Sequence, residues 1–92
     1  MDRKSFGLLV GTLRKQQRNE FDSPLNQNDL AEIAQIPLMT LQKIEQGRSV
    51  NLSPDSTLKL AKALGLPTRA RQIFFLASTG IADVAMTSQN NL

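Results

Sequence analysis

The chain contains no cysteine, histidine, tryptophan or tyrosine, and only four phenylalanines. Without cysteine there is no disulfide framework, thiolate metal site or thiol nucleophile, and without histidine the commonest general base and zinc ligand is missing. Chemistry would have to come from serines, lysines and carboxylates, and no convergent carboxylate pair is visible. The sequence therefore argues against an enzyme and implies no catalytic residue, no metal and no cofactor. No apolar run approaches the roughly 18 residues of a membrane span. The opening "MDRKSFGLLVGTLRK" sets acid and base around too short an apolar segment for a signal peptide, so the chain reads as cytoplasmic, with no membrane partner. Strand-like alternation, internal repeats and low-complexity segments are also lacking.

What is present is one domain's worth of chain, 92 residues, with 11 Lys and Arg against 8 Asp and Glu. The net charge of +3 suits nucleic acid without demanding it. Arg3, Lys4, Arg14, Lys15 and Arg18 crowd the first segment, although a solvated surface accounts for most such charges taken singly.

Helical periodicity organises the rest. Phe6, Leu9, Val10 and Leu13 form the apolar stripe of a helix from about Ser5 to Gln17. "RNEFDSP" is turn-rich, and its Phe21 is expected to fold back onto the core. Asn26, three residues before Asp29, has the form of a capping box and starts a second helix from Gln27 to about Gln35. Pro37 is tolerated only in a first turn, so the second helix ends before it and a third begins around it. That third helix turns Thr40, Leu41 and Ile44 inward and stops at Gly47. Ser53, Pro54 and Asp55 give a cap, a first-position proline and a first-turn acid. Thr57, Leu60, Ala61 and Leu64 follow as the buried face of a fourth helix ending at Gly65. A fifth, from about Thr68 to Ser78, is expected to bury Ile73, Leu76 and Ala77. Residues 1–80 thus form an all-α, five-helix domain, and 81–92 are a tail or the start of a linker.

Helices two and three are each marginal alone, and the small Ala31, Ala34 and Thr40 allow them to pack closely across a tight turn. Residues 38, 39, 42, 43 and 46 then lie on the outer face, an arrangement that fits a DNA major groove. Leu38 and Met39 suit thymine methyl groups, and Lys43 and Gln42 suit base edges or phosphate; the competing readings are a core edge, a dimer contact or a solvated surface. Gln27 stands at a helix N-terminus, which already favours phosphate. Phe74 and Phe75 are adjacent and cannot both enter one core, so a dimer contact there is expected, with Ile81 and Val84 adding apolar surface.

The stretches "LNQNDLAEIAQIPLMTLQKIEQGR" and "TLKLAKALGL" resemble the lambda-repressor-like, Cro/XRE-type helix-turn-helix family, and the resemblance extends over about residues 5 to 78. It implies a compact lambda-repressor-like bundle whose second and third helices form the helix-turn-helix, and a bacterial or phage protein located at the nucleoid. Carried over by position, it implies base contacts from Leu38, Met39, Gln42 and Lys43, and phosphate contacts from Asn26, Gln27 and Arg48. It also implies a structural ion pair between Arg14 and Glu45. The segment "LPTRARQIFFLAS" resembles the fifth helix of an actinobacterial branch in which a larger sensor domain follows. Leu38 and Met39 stand where polar residues are more usual, Pro37 replaces a common Ser or Thr, and the connection between the first two helices is longer than typical. The expectation is a sequence-specific double-stranded DNA-binding transcription regulator, a homodimer on a two-fold operator. The alternative is a protein-interaction module of the same fold, an antitoxin or a coactivator bridge.

Overall fold

A computed structural model describes residues 2–80, which form five helices: α1 (Arg3–Gln16), α2 (Gln27–Ala34), α3 (Leu38–Glu45), α4 (Pro54–Ala63) and α5 (Thr68–Gly80). Among the described residues there is no strand, only an isolated bridge between Arg18 and Pro24. Ile81, Val84 and the expected tail over 81–92 lie outside the described residues.

The ends of the helices follow from local chemistry. The Asp2 carboxylate accepts the Ser5 N–H at 2.7 Å, starting α1 two residues before the expected position. That backbone hydrogen bond is the main cause holding the Asp2 carboxyl below its ordinary value. At α2 the capping box is complete: Asn26 Oδ1 accepts the Asp29 N–H at 2.7 Å, and Asp29 Oδ2 accepts the Asn26 N–H at 3.3 Å. Ser53 Oγ accepts the Ser56 N–H at 3.1 Å, and Pro54 fills the first position of α4. Gly47 (φ 74°) and Gly65 (φ 76°) turn the chain out of α3 and α4 in the left-handed conformation that glycine adopts without penalty.

α1 packs on α3, α2 on both α3 and α4, and α4 on α5, around a core from every helix. Phe6 of α1 and Phe74 of α5 meet with ring centroids 5.0 Å apart, joining the first helix to the last. Each such buried side chain contributes about 1.5–3 kcal/mol.

Two expectations are corrected. Ile73 and Leu76 are 63% and 66% exposed, while Phe74 is buried. The contact with Phe6 rotates α5 so that Phe74 and, one turn later, half-buried Ala77 face inward. Phe21 is 79% exposed instead of tucked onto the core. The loop that carries it closes on itself: the Leu25 N–H donates to Gln17 O at 3.0 Å and the Asn19 N–H to Ser23 O at 2.9 Å. Asn19 Oδ1 also accepts the N–H groups of Phe21 and Ser23, at 2.8 and 3.1 Å. With its polar groups satisfied inside the ring, the loop has no reason to lean inward, and its tip faces water.

Gln35 closes α2 at φ 59°, and the Ile36 N–H donates back to Ala31 O at 3.0 Å as in a Schellman motif. The left-handed conformation costs a non-glycine residue about 1–2 kcal/mol, against about 0.5–1 kcal/mol of extra chain entropy for glycine. Gln35→Gly is therefore expected to stabilise the domain by about 0.5–1 kcal/mol. The check is the denaturant midpoint, which should rise at unchanged slope; a fall would mean that the Gln35 side chain contributes more than its backbone strain removes.

Candidate nucleic-acid interface

The turn between α2 and α3 is three residues, Gln35, Ile36 and Pro37. Buried Ile36 pins it to the core, and Ala31 and Ala34, also buried, keep the two helices close. Pro37 is the N-cap of α3 and offers no side-chain hydrogen bond, so the first N–H groups of α3 carry no side-chain cap. Leu41 and Ile44 are buried. On the opposite side Leu38, Met39 and Gln46 are exposed, and Gln42 and Lys43 are half-buried. The four residues expected to meet base edges thus stand together on one helical surface.

The far end of α3 is anchored. Arg14 grips Glu45 in a two-pronged pair, Nε to Oε2 at 2.8 Å and Nη2 to Oε1 at 2.9 Å. Its remaining Nη1 donates to Leu25 O at 2.8 Å. Gln27 Nε2 adds a third hydrogen bond to the same carboxylate, reaching Oε1 at 3.1 Å. Four segments converge here: α1, the end of the loop, the first residue of α2 and the last of α3. Fork geometry and a carboxylate that accepts three hydrogen bonds make this a stronger arrangement than a surface pair.

Of the residues expected to contact phosphate, Gln27 is half-buried and held by Glu45 through one N–H. Asn26 uses its side-chain oxygen and backbone N–H in the capping box, which leaves its side-chain amide nitrogen as the remaining donor. Arg48 is exposed just past Gly47; its backbone N–H donates to Lys43 O at 2.9 Å, and its guanidinium makes a 3.5 Å contact from Nη1 to Gln46 Oε1. Of the two adjacent phenylalanines named for a dimer contact, Phe74 is buried in the core and Phe75 is half-buried, so of the two only Phe75 reaches the surface. Among the described residues no group of three acidic, histidine or cysteine side chains could hold a metal ion.

Apolar periodicity gives no role to Gly7 and Gly11, which the structure places against the end of α3. A Cβ at Gly7 would stand 2.3 Å from Ile44 O and 3.1 Å from Glu45 O. At Gly11 it would lie 3.2 Å from Glu45 Oε1. The two glycines, one helical turn apart, let α1 approach the end of α3 closely enough for Arg14 to reach Glu45. Their four-residue spacing on the face bearing Phe6 and Val10 was the available signal. Also unforeseen, a Cβ at Gly47 would stand 3.1 Å from Lys4 Cα, so the start of α1 lies against the turn leading to Arg48.

Two short helices crossing at a three-residue turn, the second buried on one side and open on the other, define a helix-turn-helix protein. Residues 24–70, just over half of the 92-residue chain, match the helix-turn-helix family of the Cro/XRE, lambda-repressor-like type, and the chain belongs to that family. The match takes in α2, α3 and α4 whole and only the start of α5. The fold is accordingly all-α and lambda-repressor-like, and the family is one of DNA-binding regulatory domains, not typically enzymatic. No curated protein matches the chain. No helix among the described residues is long and apolar enough to cross a membrane.

Proposed function

We propose that this domain binds double-stranded DNA sequence-specifically, with the N-terminal half of α3 in the major groove, and regulates transcription as a homodimer on a two-fold site. The observation that carries the reading is the outer face of α3, where Leu38, Met39, Gln42 and Lys43 share one surface while Glu45 locks the helix end in place. Leu38 and Met39 meet thymine methyl groups, and Gln42 and Lys43 hydrogen-bond base edges. Gln27, through its second N–H, the Asn26 amide and Arg48 meet phosphates on either side, and the positive end of α3 adds to their attraction. Exposed Ile73 and Leu76 of α5, beside half-buried Phe75, supply an apolar strip for the second copy.

Selection from random duplex DNA tests the whole reading. The expected product is a pseudo-palindrome with half-sites about one helical turn, ~10 bp, apart. On that site Gln42→Ala and Lys43→Ala should each cost about 1–3 kcal/mol and relax preference at one base position. Gln27→Ala should weaken operator and random DNA alike, because a backbone contact carries no base information. Failure to enrich any sequence, or unchanged base preference in every α3 variant, would reject the reading.

A further inference from the structure

A second surface lies away from α3. The loop over 17–25 and the outer side of α2 enclose an open groove of about 330 Å³, in which no residue of α3 takes part. Phe21 and Ile33 (57% exposed) are its apolar walls, above buried Leu25. Around them stand three carboxylates, Glu20, Asp29 and Glu32, against one guanidinium, Arg18. Asp29 is engaged in the α2 capping box, while no ion pair among the described residues neutralises Glu20 or Glu32.

We propose that this groove is a docking site for a basic segment of another protein, one that presents one or two apolar side chains flanked by lysine or arginine. Two observations select this occupant. The negative rim, on a chain whose net charge is +3, repels nucleic acid and also the same face of a second copy. Exposing an aromatic and a β-branched side chain side by side gives a partner an anchor point, since desolvated aromatic contacts carry most of the energy of small interfaces. The volume suits one or two side chains, not a folded surface. In the complex, the partner's apolar residue lies between Phe21 and Ile33, and its cations reach Glu20 and Glu32, which fix orientation and accelerate encounter. The site does not depend on the DNA-binding reading, because its residues and those of α3 are separate.

The test is panning of a random 16-residue peptide library against the full chain, followed by affinity measurements on the enriched peptides. Enrichment of peptides with net positive charge and an apolar anchor is expected. Phe21→Ser combined with Ile33→Ser should weaken them at least about tenfold. Glu20→Lys combined with Glu32→Lys should weaken them and reverse the salt dependence of binding, because the rim then repels the peptide's cations. Glu20, Phe21, Glu32 and Ile33 are all exposed and none belongs to the core, so melting temperature should not change in either variant, and DNA affinity should not change in the uncharged Phe21 and Ile33 variant. Enriched peptides without net positive charge, or with full affinity for the Phe21 and Ile33 variant, would overturn the proposal. So would a change in the sedimentation of the chain alone on making that variant, which would assign the groove to a second copy.

Discussion

Replacing Glu45 with alanine is expected to lower stability by about 3 kcal/mol, near the lower end of the roughly 3–5 kcal/mol that follows removal of one partner from a buried pair. The two side chains are 11% and 10% exposed, far from the surface limit in which a pair contributes about 0–1 kcal/mol. What makes the loss large is the guanidinium left behind. Arg14 would keep only its hydrogen bond to Leu25 O, and Gln27 would lose its acceptor. For a domain of this size the fall in melting temperature should be on the order of 10–20 °C. Because the pair sets the angle of α3, affinity for all DNA sequences should drop together. Arg14→Met combined with Glu45→Leu should regain part of the lost stability, since packed apolar groups can replace a buried pair. Recovery would be incomplete, because Leu25 O then lacks its donor. A melting temperature unchanged in Glu45→Ala would show that the pair contributes no net stability.

Gly7→Ala should be nearly as damaging, although it adds only a methyl group. The new carbon would stand 2.3 Å from Ile44 O, a backbone atom that no rotamer change can remove. Overpacking costs about 1–3 kcal/mol, here at the upper end, while alanine recovers about 1 kcal/mol of helix propensity. The net expectation is a loss of about 2 kcal/mol, read from denaturant unfolding. Gly11→Ala supplies the contrast. Its neighbour is the Glu45 carboxylate at 3.2 Å, a side chain able to shift by tenths of an ångström, so propensity and crowding should nearly cancel. If Gly7→Ala were as stable as Gly11→Ala, the close approach of α1 to α3 would not be a constraint.

How much of this could be read beforehand depended on whether the governing interaction was local. Asn26 with Asp29, Ser53 with Pro54, and the stops at Gly47 and Gly65 announce themselves within four residues, and those boundaries lie where expected to within about two residues. The helix-turn-helix pair was legible for the same reason. Gln35 escaped because its left-handed turn normally calls for glycine or asparagine, and the tertiary burial of Ile36 imposes it instead. On α5 helical spacing allows two inward faces, because Ile73, Leu76 and Ala77 satisfy it as well as Phe74 and Ala77 do; only Phe6, 68 residues away in the chain, decides between them. Gly7 carried no legible meaning until the carbonyl of Ile44 stood beside it. At the interface, the outward residues of α3 could be named from phase alone, whereas the third donor to Glu45, from Gln27, required the two helix ends to be brought together.

The ring closed by Asn19, Ser23, Gln17 and Leu25 isolates whatever is attached to its tip from the helices it joins. Lengthening a loop whose stems are already fastened adds only about 0.6 kcal/mol of closure entropy per doubling. A chain without cysteine accepts a single thiol as a unique chemical handle. A cysteine in place of exposed Glu20 would therefore put a fluorophore on a rigid stalk at one known point, giving distance measurements to labelled DNA without disturbing the surface that would touch it.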